Sequence, residues 1–108
     1  MARSIYQVPY HCGFLELKRR LEEILMSNGY RTYQYEGENI WKKGTGALTA
    51  MMYIKVEYDQ NMVAFQGWVM PGLGSAEIAE MALDGALGVI PKKACQKVID
   101  QLIQAAMA

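Results

Sequence analysis

Two short stretches hold the residues most able to do chemistry, "PYHCG" at 9–13 and "GVIPKKACQ" at 88–96. The second places Lys92 and Lys93 directly after Pro91, with Cys95 close behind. Proline suits a first helical turn, where its missing N–H would be unpaired anyway. Two ammonium groups do not, because the positive end of the helix dipole lies there. A bound anion would reconcile them. The N–H groups of that turn, the close backbone approach allowed by Gly85 and Gly88, and both lysines would converge on one spot. Gly88, Lys92 and Lys93 are therefore a candidate weak site for phosphate, sulfate or a carboxylate. The competing reading is two hydrated lysines that swing away from the dipole, at a cost of about a few tenths of a kcal/mol each.

Other reactive groups carry less. Cys95 falls on or beside an apolar helical stripe, where burial disfavours the thiolate more than the nearby lysines favour it. His11 and Cys12 are sequence neighbours, whose side chains diverge rather than form a nucleophile–base pair. One histidine and two distant cysteines fall short of a zinc set, so no metal site is expected. "WKKGTG" at 41–46 lacks the spacing of a phosphate-binding Walker loop. "PGLGSAE" at 71–77 puts Glu77 where a dinucleotide loop needs its third glycine. The carboxylates form no acid–base pair. No catalytic residue and no cofactor are nominated.

The elements that must position these groups are readable. Phe14, Leu17, Leu21, Ile24 and Leu25 make one stripe of a helix over 14–28, with Gly29 as its stop. Lys18 with Glu22 and Arg19 with Glu23 decorate its wet face, so "KRR" at 18–20 reads as solvated surface rather than a nucleic-acid patch. A second helix, 91–106, is apolar along its length through Ala94, Cys95, Val98, Ile99, Leu102, Ile103 and Ala106. Strands are expected at "RSIYQV" (an edge, given Pro9), "YRTYQYE", "IWK", "ALTAMMYIKVEYD" and "NMVAFQGWVM". Ser75 could cap a short helix from Ala76 to about Leu83.

The last two strands fix their own register. A two-residue turn at Gln60 and Asn61, with asparagine tolerating positive φ, sets Tyr58 opposite Val63, Val56 opposite Phe65 and Met52 opposite Val69. That gathers one apolar face, whereas a slip by one residue mixes both faces. Val56, Phe65, Val63, Ile54, Val69, Leu21, Leu17, Val98 and Leu102 are the expected core. The opposite face holds Met51, Tyr53, Gln66, Trp68 and Met70, a methionine–aromatic cluster beyond the needs of a solvated surface. It is the candidate interface or ligand patch, unless the chain itself covers it.

These elements make a single α+β domain over 1–108. It is a two-layer sandwich whose antiparallel sheet of about four to five strands packs two main helices on one face. The chain has 108 residues, and its eleven basic residues balance eleven acidic ones. That gives no global field for nucleic acid or an anionic membrane. No run of about 18 apolar residues exists to span a membrane, and the N-terminal stretch does not read as a signal peptide. With two distant cysteines, the chain reads as cytoplasmic. The expectation is a small non-catalytic interaction or ligand-binding domain, self-associating as a homodimer through a sheet face. The alternative is a binder of, or minor enzyme acting on, a small anionic ligand at the start of the last helix.

Overall fold

In the computed structural model, which describes residues 2–44, 50–70, 80–84 and 89–108, the first apolar stripe becomes helix α1 (Phe14–Ser27). Leu17, Leu21 and Leu25 are its buried line. Gly29, at φ 88°, ends it in the left-handed conformation. The Gly29 N–H donates to the Met26 carbonyl and the Tyr30 N–H to the Leu25 carbonyl, which satisfies two carbonyls of the last turn. The second stripe becomes α2 (Val89–Met107), in which Cys95, Ile99, Leu102 and Ala106 are fully buried.

Six antiparallel strands among the described residues form one sheet: β1 (Ser4–Pro9), β2 (Arg31–Tyr35), β3 (Glu38–Lys43), β4 (Met51–Tyr58), β5 (Met62–Met70) and β6 (Met81–Ala82). Their order is β1-β5-β4-β3-β2, with β6 also pairing β5. The architecture is the expected α+β two-layer sandwich, with one more strand than anticipated. Both helices lie on the face that carries Ile54, Val63, Phe65 and Val69. Met81 and Ala82, expected at the end of a short helix, are instead a two-residue strand opposite Val69 and Trp68. Pairing to a β5 that outruns β1 offers their backbone groups a ladder in place of a helical turn. Residues 76–79 of that expected helix lie outside the described residues.

The β4–β5 register is the one the apolar pattern demands: Tyr58 opposite Val63, Val56 opposite Phe65, Met52 opposite Val69. The turn has two residues, with the Asp59 N–H donating to the Met62 carbonyl at 2.9 Å. Asn61 does not take the anticipated positive φ; among the described non-glycine residues only Glu36 does. Neighbours hold this turn instead. Asp59 Oδ1 accepts from the Gln60 N–H, the Tyr10 N–H donates to the Asn61 carbonyl, and the Tyr10 hydroxyl donates to the Asp59 carbonyl. The positive-φ hairpin turn belongs to β2–β3, where Glu36 at 48° and Gly37 at 81° give the twist that two-residue hairpins favour.

One glycine sets how closely the layers approach. A Cβ at Gly67 would collide with the Ile99 side chain of α2 and lie 2.8 Å from Leu83 Cδ1. The bare backbone at Gly67, opposite Ile54, therefore lets α2 settle onto the sheet.

Candidate binding face of the sheet

Alternation along the strands places Met51, Tyr53, Gln66, Trp68 and Met70 together on the face away from the helices, with Tyr53 directly opposite Trp68 and Met51 opposite Met70. Tyr53 and Trp68 stack with ring centroids 5.3 Å apart and planes 15° from parallel. Lys42 on β3 pairs with Tyr53, so Ile40 and Glu38 share this face, and through the β2–β3 ladder so do Tyr33 and Tyr35. Tyr35 lies 5.8 Å from Trp68, although β2 and β5 are three strands apart. A flat sheet would separate those backbones by about 14 Å, so the strands curl toward this side.

Among the described residues no helix covers the cluster, yet Trp68 is fully buried and Tyr53 is 2% exposed. The chain closes over them with side chains from distant positions. Arg3, one residue before β1, lays its guanidinium 3.7 Å from the Trp68 ring centre. Its Nε and Nη2 donate to the two oxygens of Glu80, both at 3.0 Å. Nη1 and Nη2 donate to the two oxygens of Glu38, at 3.1 and 2.9 Å. Nη1 also donates to Gln66 Oε1 at 3.0 Å. Glu38 receives Lys55 Nζ at 2.7 Å, and the Tyr35 hydroxyl donates to Glu80 at 3.0 Å.

The electrostatics follow from these partners. The hydrogen bonds from Arg3, then the one from Lys55, hold the Glu38 carboxyl at about 2, well below the ordinary carboxylate range. Burial, then the neighbouring Glu80 carboxylate, pushes the Tyr35 phenol up to about 12. Arg3 stays charged: Glu38 leads the groups that raise its pKa, against the opposing effect of burial. The Trp68 indole N–H is buried and has no acceptor among the described residues.

Gln66 thus belongs to the network, its amide also donating to Glu57 at 2.7 Å. Met70 is buried and Met51, which accepts from the Tyr53 hydroxyl at 3.3 Å, is half-buried. The exposed part of the aromatic surface lies further along, at Tyr33. That ring is 44% exposed and carries Lys42 Nζ 4.3 Å from its centre. Arg3, Tyr35, Glu38 and Glu80 were not singled out from the sequence. Counting alternation back from Lys42 would have placed Tyr35 and Glu38 on this face. Arg3 opens the expected strand "RSIYQV" but lies one residue before β1, and Glu80 fell within the expected short helix, so neither was placed on this face.

The other candidate group is dispersed. Lys92 is buried, and its ammonium donates to the Asp84 carbonyl at 2.8 Å, while Lys93 is exposed. Gly88 lies outside the described residues. Cys95 is buried, its thiol donating to the Tyr53 carbonyl at 3.7 Å, and burial pushes it up to about 11. A groove of about 430 Å³ on the helix side, between α1 and the β2–β3 end, is lined by Thr32, Trp41, Val56 and Tyr58, with Glu22 as its one carboxylate. Among the described residues, no helix is long and apolar enough to cross a membrane.

Comparison of the chain with protein-family models, with curated proteins and with solved structures returned no match.

Proposed function

We propose that this protein is a cytoplasmic, non-catalytic interaction domain that forms a homodimer through the outer side of its sheet, at strand β2. The observation that carries this reading is the edge of β2. Four of its five residues are exposed, and among the described residues no strand pairs with its outer side. Such an edge is a template for another strand.

The ladder defines what the edge offers. Tyr35 and Glu38 flank a two-residue turn, so they exchange hydrogen bonds, as do Tyr33 and Arg31 with their partners on β3. The N–H and C=O groups of Thr32 and Gln34 therefore point outward. A second copy pairing antiparallel about Tyr33 would match Thr32 to Gln34 of its partner, twice. It would also set the two Tyr33 rings together in the close, non-hydrogen-bonded position. Arg31 would face a tyrosine, Tyr35, and no like charges would meet. The alternative, a small anion held at the start of α2, is less supported, because Lys92 already serves the Asp84 carbonyl.

Thr32→Pro tests the reading. It deletes one outward N–H and leaves the β2–β3 ladder intact. Sedimentation velocity should give a dimer for the native chain and a monomer with an unchanged circular dichroism spectrum for the variant. A native monomer at about 100 µM, a concentration that would populate even a weak dimer, would sink the proposal.

A further inference from the structure

Arg3 is held as a ligand would be. A guanidinium has five N–H donors in a rigid plane, and all five are used here: two by Glu80, two by Glu38 and one by Gln66. The face of the same plane lies on Trp68. The Arg3 side chain is 7% exposed, as is that of Glu80. Lys55 balances the second carboxylate, so Arg3, Lys55, Glu38 and Glu80 together are neutral, with the half-exposed Glu57 at the rim 3.9 Å from Lys55.

We propose that Trp68, Glu38, Glu80, Gln66 and Tyr35 form a guanidinium-binding site which the chain fills with its own Arg3, and which takes an arginine side chain of another polypeptide when Arg3 withdraws. Withdrawal is local. The β1–β5 ladder begins at Ser4, so Arg3 can leave without breaking a strand pair. The vacated site keeps its shape, because Lys55 still holds Glu38 and the Tyr35 hydroxyl still holds Glu80. It then has one net negative charge above an aromatic floor, which draws in a cation. The planar set of five acceptors selects guanidinium over ammonium, whose three donors point out of any one plane.

The test uses Arg3→Ala in the full chain, with methylguanidinium chloride as probe and methylammonium chloride as control. The Trp68 indole N–H signal is followed by NMR. The variant should show saturable shifts with methylguanidinium at about 20 mM or below, a range fitting so small a ligand, and the native chain none. Methylammonium should bind at least about tenfold more weakly. The peptide acetyl-Ala-Arg-Ser-amide should compete for the site, and its lysine counterpart should not. Adding Glu80→Gln should abolish the response. Should Arg3→Ala fail to fold unaided, methylguanidinium should restore a cooperative thermal transition that methylammonium does not. The proposal is overturned by a folded variant without shifts, by equal responses to both cations, by a response surviving Glu80→Gln, by an arginine peptide that does not compete, or by an unfolded variant that methylguanidinium leaves unfolded.

Discussion

The two faces of one sheet are closed in different ways. On one side β4 and β5 present Ile54, Val63, Phe65 and Val69 to Leu17, Leu21, Val98 and Leu102 of the helices, and the seal is made by whole elements. On the other side the same strands present Tyr53, Trp68 and Met70, and among the described residues the seal is made by side chains. An element can bury an apolar strip by area alone, which is forgiving of detail. A lid of charged groups closes a hydrophobic surface only if each of its donors and acceptors is matched. The helix side should therefore be sensitive to volume and the outer side to protonation.

The largest expected effect lies on the helix side. Phe65 is fully buried opposite Val56. Phe65→Ala should lower stability by about 3–5 kcal/mol, transfer and cavity together, read as a lower urea midpoint with little change in slope. Its loss should be the same at pH 7 and pH 4, because the residue touches only the face sealed by volume. A loss that changed with acid would blur the distinction between the faces.

The outer side should respond to acid. Glu38 titrates at about 2 in the folded chain against an ordinary 4.5, with Arg3 the first cause. A depressed carboxylate contributes stability that is complete above its unfolded value and disappears as pH falls toward the folded one. The window is therefore about pH 4.5 down to about 2. With the carboxylate partly exposed, solvent screening leaves an effect on the order of 1–2 kcal/mol. Urea midpoints across that window should fall in the native chain and fall less in Glu38→Gln. Parallel curves would mean that the ion pairs add nothing to the lid.

The same contrast explains what could be read in the sequence. The part of the helix-side core that comes from α1, α2, β4 and β5 was legible because its residues obey a local period, 3.6 in the helices and 2 in the strands; Tyr10 and Tyr30, outside those elements, were not. The β4–β5 pairing was legible because only one register keeps Val56 with Phe65 and Lys55 with Gln66. The outer cluster was legible as far as alternation runs, to Met51, Tyr53, Trp68 and Met70. Its cover was not. Arg3 meets Glu80 across 77 positions and Glu38 across 35, and no local pattern links such residues. Lys92 was hidden for a related reason: a long side chain can turn back onto a carbonyl eight residues earlier, and composition does not show which one.

The smallest expected effect concerns a mismatch on the side sealed by volume. Tyr30 follows the stop of α1 and is 1% exposed within the helix-side core. Its hydroxyl lies beside the Cys95 sulfur, and no oxygen or nitrogen atom of the described residues accepts from it. The Cys95 thiol gives its own proton to the Tyr53 carbonyl, and its sulfur is only a weak acceptor for the hydroxyl. A buried hydroxyl without a strong acceptor costs up to about 1–3 kcal/mol of desolvation, whereas the ring itself still contributes by burial. Tyr30→Phe removes the cost and keeps the ring, at the expense of a gap no larger than one oxygen. The balance should raise stability by about 0.5–1 kcal/mol, a shift of a few degrees in the thermal midpoint for a domain of this size. Calorimetry of the two proteins at pH 7 checks it. A lower midpoint in Tyr30→Phe would mean that the hydroxyl does have a partner, and that the helix side too depends on a matched polar group.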